Sequence, residues 1–258
     1  MYKTFTAADY RRHLSLDDEY TVDGFLVYGT YRKDPYQLLR NRLAAARIDT
    51  QFDQLPGFLE SILEFRVNGK RYWFVKAYGG ALLSEWLHLA CLFGSRKNIV
   101  MGSCGGLLKE AAAREIILPT FSYANESPTR AYEPDARNRH YPDKATTMRI
   151  ADRLRAQDHT VWEGPTVTFQ AMMAETWDDV QSWSKQGFYG VEMEAATVFA
   201  VSNYFHVPAA ALLLIGDNLI NGETVFDINF EKSYNLRLRA SQDMMDAALA
   251  ELLDLERL

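Results

Sequence analysis

The segment Gly190-Val191-Glu192-Met193-Glu194-Ala195-Ala196 places two carboxylates between a short apolar run and the start of a helical pattern. If the chain is extended here, Glu192 and Glu194 face the same way, whereas on a helix they diverge. A carboxylate accepts two hydrogen bonds at once and therefore suits a vicinal diol, such as the 2′ and 3′ hydroxyls of a ribose. The residues also allow a second interpretation, in which both acids only stabilise the positive end of the following helix.

Short apolar runs alternate with helical patterns along the whole chain, and this alternation predicts an α/β fold with a mixed or mainly parallel sheet covered by helices. We expect a single domain over residues 1–258, because no repeat, low-complexity tract or linker interrupts the pattern. The patterns predict strands near residues 24–28, 63–67, 71–76, 98–101, 115–120, 166–169 and 209–215, and helices near residues 36–46, 83–93, 146–157, 177–185, 193–205 and 233–253. Asn68-Gly69 is typical of a hairpin turn. Residues 121–144 form the longest irregular stretch, which favours a loop over a site.

Composition and charge exclude several classes of protein. An apolar fraction of 48% can fill a core, and a net charge of −6 argues against general nucleic-acid or membrane-surface binding, which needs a basic face. No stretch approaches the roughly 20 apolar residues of a membrane span, and residues 1–20 lack the apolar run of a signal peptide. We therefore expect a cytoplasmic protein that binds neither nucleic acid nor membrane.

The cysteines and histidines give no sign of a metal site. Cys91 and Cys104 form no paired framework and are predicted to be two buried thiols in a reducing compartment. None of the five histidines stands in metal-ligand spacing with another His or Cys, and no Ser-His-Asp arrangement can be argued. The sequence therefore supports neither metal nor serine-nucleophile chemistry.

Reactive groups follow the predicted strands at several points, where ligands of open α/β sheets bind. The glycines of Gly102-Ser103-Cys104-Gly105-Gly106 would let the backbone approach an anion, and Ser103 adds a hydroxyl donor. This segment matches neither GxGxxG nor a Walker loop, and an ordinary tight turn remains an alternative. Asp217 closes the apolar run 209–216, so burial should raise its pKa and suit it to general acid catalysis. A loop carboxylate that bonds nearby amides is the other interpretation.

Residues 190–196, followed about twenty residues later by Gly216-Asp217, resemble the signature of the nucleoside phosphorylase superfamily. That signature is a G-V-E-M-E-A-A segment and a later strand that ends in Ser-Asp. Gly102–Gly106 is similar to the Gly-rich phosphate and ribose loop of the family, and residues 29–33 to a divergent form of its first-strand loop. The order and spacing match over roughly residues 24–253. The resemblance implies a twisted mixed sheet flanked by helices and an enzyme that cleaves the N-glycosidic bond of a nucleoside.

The resemblance also implies roles for individual residues. Asp217 and Glu192 would be catalytic, with Asp217 donating a proton to N7 of a purine and Glu192 lying beside the sugar or positioning the attacking group. The pyrimidine-specific branch lacks this aspartate, so a purine is expected. The binding residues implied are Met193 and Glu194 for ribose, Phe169, Gln170 and Met172 for the base, and Gly29, Arg32, Lys33 and Ser103 for phosphate. No cofactor is required, inorganic phosphate would be the co-substrate, and a homo-oligomer is expected.

Three positions depart from the family pattern. Val100 stands where phosphorylases of this family carry an arginine, Asp53 falls near a further family arginine, and Gly216 replaces the serine before the aspartate. Losing a bidentate arginine weakens the case for phosphate as the nucleophile. Hydrolytic relatives, the methylthioadenosine and AMP nucleosidases, also lack the first arginine. The prediction is therefore phosphorolysis to free base and ribose 1-phosphate, with hydrolysis by water or non-catalytic nucleoside binding as alternatives.

Overall fold

The computed structural model describes residues 1–30, 34–226 and 234–258. Its strands are β1 Gly24–Gly29, β2 Gln51–Gln54, β3 Ile62–Val67, β4 Lys70–Ala77, β5 Asn98–Gly106, β6 Ile116–Tyr123, β7 Arg139–His140, β8 Val161–Thr168, β9 Gly190–Glu192 and β10 Ala209–Asn218. Its helices are α1 Ala7–His13, α2 Pro35–Ala45, α3 Gly80–Leu92, α4 Ser127–Tyr132, α5 Lys144–Arg155, α6 Trp177–Lys185, α7 Ala195–Tyr204 and α8 Tyr234–Leu252.

The strands form one mixed sheet in the order β10-β6-β8-β9-β5-β1-β4-β3-β2, with β7 paired to β6. Because β10 also pairs with β5, the strands β5, β10, β6, β8 and β9 close into a small barrel. β5 runs parallel to both β1 and β10, so the carboxyl ends of these three strands meet at one edge. β9 pairs antiparallel with the last residues of β5 and brings the segment after it to the same place.

Helices cover both faces of the sheet and bury the apolar strands. One core lies beneath α2, α5 and α8, and a second lies beneath α3 and α7. Residues 209–216 of β10 are all buried, as expected for a strand of a sheet covered on both faces. The predicted α/β fold with a mixed sheet and flanking helices is thus confirmed. The single domain over residues 1–258 stays a prediction, although one sheet joins strands from residue 24 to residue 218.

Several predicted boundaries need correction. β5 continues through Gly102 to Gly106, so the interpretation of this segment as a tight turn is wrong. The helix predicted from residue 193 begins at Ala195, which leaves Glu194 as its N-cap residue. The irregular stretch 121–144 contains α4 and β7, and Pro128 lies in the first turn of α4, where its missing N–H costs no hydrogen bond.

Other expectations agree with the structure. Asn68 and Gly69 have φ angles of 51° and 76° and join β3 to β4 in the predicted hairpin. Cys91 and Cys104 are both buried, as predicted. Within the described residues, every helix is too short or too polar to cross a bilayer.

Candidate active site

The carboxyl ends of β1, β5 and β10 lie side by side and form the floor of the site. Gly29 is the sheet partner of Gly102, and a Cβ on Gly102 would lie only 2.8 Å from the Gly29 carbonyl oxygen. Glycine therefore permits a close approach of the two strands here. Ser103 is exposed, and its Cβ lies 3.8 Å from the point that a Cβ on Gly216 would occupy. The structure thus brings the predicted residues Gly29 and Ser103 to the strand end that carries Asp217.

Glu194 is buried directly above this floor. Its Oε1 accepts a 2.7 Å hydrogen bond from the Gly79 N–H, and its Oε2 lies 2.5 Å from the point that a Cβ on Gly29 would occupy. Burial, followed by the charge of Glu192, raises the pKa of Glu194 to about 8, against the hydrogen bonds from the Gly79 and Met193 N–H groups. The carboxyl group is therefore largely protonated at neutral pH.

Glu192 is buried beside Glu194, but its carboxylate is engaged by the protein itself. Oε1 accepts from the hydroxyls of Thr168 and Ser122, and Oε2 accepts from the N–H groups of Glu194 and Ala195 at 2.8 and 2.7 Å. Burial raises the pKa of Glu192, and these hydrogen bonds oppose the rise. The two amides open α7, whose first N–H groups have no intrahelical partner. Glu192 therefore stabilises the turn that carries Glu194. Its catalytic role stays a prediction.

Asp217 lies near the end of β10 and titrates near neutrality. Burial raises its pKa to about 6, and the charge of Glu223 adds to the rise. A hydrogen bond from the Val225 N–H and the charge of Arg237 act in the opposite direction. The Arg237 side chain is buried and reaches the site from α8. An acid with this pKa can deliver a proton at physiological pH, as general acid catalysis requires.

A second carboxyl group lies at this end of the site and was missed by the sequence analysis. Glu175 follows a short 3₁₀ helix in the connection between β8 and α6, and α6 packs against residues 219–221 just beyond Asp217. Burial raises the pKa of Glu175 to about 7, and the charges of Asp217 and Asp179 add to the rise. Glu175 belongs to an irregular connection, so no periodic pattern marks it.

The segment predicted to line the base pocket follows β8 and is hydrogen-bonded to β9 and to the start of α3. The Phe169 ring lies 5.4 Å from the Trp183 ring between centroids, and the Phe169 N–H donates to the Glu192 carbonyl oxygen. Gln170 Oε1 accepts a 2.9 Å hydrogen bond from the Gly80 N–H. The Tyr78 hydroxyl contacts Met172 Sδ at 3.7 Å. Contact of these residues with a base stays a prediction.

Residues 78–80 were not predicted as part of the site. They connect β4 to α3, and the N–H groups of Gly79 and Gly80 bond to Glu194 and Gln170. The glycine pair ahead of a helical pattern was the available sequence signal. It marks a helix start in many proteins, so it did not identify the site.

The predicted phosphate site is only partly described. Arg32 and Lys33 lie outside the described residues. Val100 is buried in the core on β5, so an apolar side chain stands where the family arginine was expected. Asp53 lies on β2 and pairs with Arg66 at 3.4 Å. Across residues 1–30, 34–226 and 234–258, the structure shows no group of three or more His, Cys, Asp or Glu that could hold a metal ion.

A protein-family model described as the phosphorylase superfamily matches residues 81–250. The chain belongs to the phosphorylase superfamily. This confirms the family predicted from residues 190–196 and Gly216-Asp217. The matched range contains Ser103, Phe169, Glu194 and Asp217, whereas Gly29 precedes it.

Individual members of the phosphorylase superfamily resemble this chain at low identity. A guanosine phosphorylase of Halorubrum lacusprofundi is 26% identical over 121 residues, which cover 47% of this chain and half of that relative. A DeoD-type 2 purine nucleoside phosphorylase of Vibrio vulnificus is 23% identical over 211 residues, covering 77% of this chain and 86% of the relative. A solved uridine phosphorylase from Vibrio fischeri ES114 superposes with a TM-score of 0.69 at 19% identity, covering 92% and 94% of the two chains. This last likeness shows that the two chains share a fold.

Proposed function

We propose that this protein cleaves the N-glycosidic bond of a purine nucleoside by phosphorolysis, releasing the free base and ribose 1-phosphate. The observation that carries the proposal is a pair of carboxyl groups, Glu194 and Asp217, whose pKa values are raised by burial to about 8 and about 6. Glu194 lies over the end of β1 and Asp217 stands near the end of β10, and both strands pair with β5. The relatives named guanosine phosphorylase and purine nucleoside phosphorylase support a purine substrate.

At the sugar end, cleavage builds positive charge on the ribose ring. Ionised Glu194 would accept hydrogen bonds from the ribose hydroxyls and stabilise this charge. Because hydrogen bonds to the ionised form lower a pKa, substrate binding would favour ionisation of Glu194. Glu192 would act through the turn before α7, since both its oxygens are already engaged by the protein. Met193, between the two acids, would contact the sugar.

At the base end, the departing purine gains negative charge. Asp217 would relieve it by transferring a proton to N7, which adds about 10²–10⁴-fold to the rate in general acid catalysis. After the transfer, the Val225 N–H and the charge of Arg237 favour the ionised carboxylate. Phe169 and Met172, on either side of Gln170, would form the wall beside the base.

The nucleophile is phosphate in this proposal, held by Gly29, Ser103, Arg32 and Lys33. Val100 in place of an arginine specifically favours a second candidate, hydrolysis by water, because a bidentate anion clamp is missing from β5. Neither reaction needs a cofactor. That the protein is cytoplasmic and forms a homo-oligomer stays a prediction.

The direct test is incubation with a panel of inosine, guanosine, adenosine and uridine, each with and without inorganic phosphate. Chromatography then separates ribose 1-phosphate from free ribose. Phosphate-dependent release of purine with ribose 1-phosphate supports the proposal, whereas free ribose irrespective of phosphate supports hydrolysis. Intact nucleosides that bind without turnover would contradict both and identify a binding protein.

A further inference from the structure

In the turn between β4 and α3, two consecutive backbone N–H groups donate hydrogen bonds to two side chains of the site. Gly79 N–H donates to Glu194 Oε1 at 2.7 Å, and Gly80 N–H donates to Gln170 Oε1 at 2.9 Å. These N–H groups stand at the start of α3, where intrahelical partners are missing. Two adjacent peptide groups thus join Glu194, the carboxyl group proposed to contact the sugar, to Gln170, which was predicted to contact the base.

The turn has little freedom to move away from either side chain. Gly79 has a φ of +87°, in the left-handed region that favours glycine. A Cβ on Gly80 would collide with Thr197 Oγ1 on α7 and would lie 2.6 Å from Gln170 Nε2. Gly80 is therefore held between Gln170 and a fully buried residue of α7.

Gln170 is itself fixed by this contact. Its Nε2 is buried without a hydrogen-bond partner among the described residues, so the bond that Oε1 accepts from Gly80 orients the amide. The preceding residue, Phe169, donates its N–H to the Glu192 carbonyl oxygen at 2.8 Å. Both ends of this short segment are tied to the elements that carry the two glutamates.

We propose that Gln170 is a positioning residue for Glu194. By holding Gly80 N–H, it keeps Gly79 N–H on Glu194 Oε1 and leaves Oε2 above Gly29 for the sugar. This inference rests on the proposed function and gives Gln170 a task at the sugar end of the site. It differs from the prediction that Gln170 contacts the base, because its amide oxygen is occupied by the turn.

The kinetic test is Gln170→Met, which keeps the length of the side chain and removes the acceptor. Misplacement of Glu194 should lower kcat about 10- to 100-fold. The loss should be equal for a purine nucleoside and for a nitrophenyl riboside, since both substrates carry the same sugar. The control is Gln186→Met, the same substitution at an exposed position at the end of α6, which should stay within about twofold of the wild type. A loss confined to purine nucleosides would overturn the proposal, because Gln170 would then recognise the base.

A second test needs no substrate. Amide hydrogen exchange at Gly79 and Gly80 should accelerate in Gln170→Met. The pKa of Glu194 should also rise, because the ionised form of Glu194 loses a hydrogen-bond donor while the charge of Glu192 continues to repel it. Gln170→Glu retains an acceptor and should restore slow exchange at Gly80. Unchanged exchange in folded Gln170→Met would overturn the proposal whatever the protein's activity. If exchange accelerates but the wild type cleaves no riboside, the positioning contact stands and the proposed function fails.

Discussion

Glu194 Oε2 lies 2.5 Å from the point that a Cβ on Gly29 would occupy, so the carboxyl group of α7 covers the end of β1. The contact joins two segments that are far apart in the sequence and that the strand pairing brings together. It also explains why β1 ends on a residue without a side chain.

Replacing Gly29 by alanine tests this contact. The methyl group would collide with Oε2 and displace the carboxyl, and we expect kcat to fall about 10- to 100-fold, as misplacement of a catalytic group typically does. Gly216→Ala is the matched comparison, because the nearest atom to its added Cβ lies 3.7 Å away, at ordinary contact distance. Steady-state kinetics of both variants check the prediction. Equal losses in the two variants would show that the Glu194 contact is not the cause.

Glu194→Gln should lower turnover and raise Tm. The folded protein raises the pKa of Glu194 from 4.5 to about 8, so ionisation of this group costs folding stability progressively as the pH rises through that range. A neutral amide removes this cost. The gain in Tm of Glu194→Gln over the wild type should therefore be larger at pH 8.5 than at pH 5, while turnover falls roughly 10²-fold or more. Glu110→Gln, at an exposed position, serves as the control. A gain in Tm that does not change with pH would contradict the assignment.

Nucleoside binding should release protons. Glu194 is largely protonated at pH 7, and ribose hydroxyls stabilise its ionised form, so binding lowers its pKa. Titration calorimetry in two buffers of different ionisation enthalpy measures the release, which should reach a sizeable fraction of one proton per site. The release should disappear in Glu194→Gln. Identical heats in both buffers for the wild type would mean that Glu194 does not ionise on binding.

Asp217→Asn should slow cleavage of a substrate whose leaving group needs a proton much more than cleavage of one whose leaving group does not. An amide cannot transfer a proton, so cleavage of inosine should fall about 10²–10⁴-fold. A nitrophenyl riboside, whose leaving group needs no proton, should lose far less. Comparable losses on both substrates would show that Asp217 positions the ligand or holds the loop around Val225. A wild-type preference for uridine would overturn the purine assignment but not the cleavage of the glycosidic bond.

The parts of the fold that rest on local patterns were predictable. Residues 209–216 form an unbroken apolar run because β10 is buried on both faces, and this run correctly placed Asp217 at a strand end. Alternation of strands and helices predicted the sheet, and the turn residues Asn68-Gly69 predicted the hairpin. In each case the pattern that carries the prediction lies within a few residues of the sequence.

The unpredicted parts depend on which distant loops meet. The bond between Gly80 and Gln170 and the approach of Glu175 to Asp217 arise where irregular connections pack together, and no periodicity reports such a pairing. Glu192 and Glu194 illustrate the same point. Their spacing indicated a shared face, but the beginning of α7 turns the backbone so that Glu192 bonds to the Glu194 N–H.

The pH dependence of kcat/KM for inosine tests the central claim most directly. The active form requires protonated Asp217, with a pKa of about 6, and ionised Glu194, with a pKa of about 8. Because the two requirements oppose one another, the profile should be bell-shaped, rising to a bend near pH 6 and falling above pH 8. A nitrophenyl riboside needs only ionised Glu194, so its profile should rise to a plateau above pH 8 without falling. Profiles of the same shape for both substrates would contradict the division of labour between the two carboxyl groups.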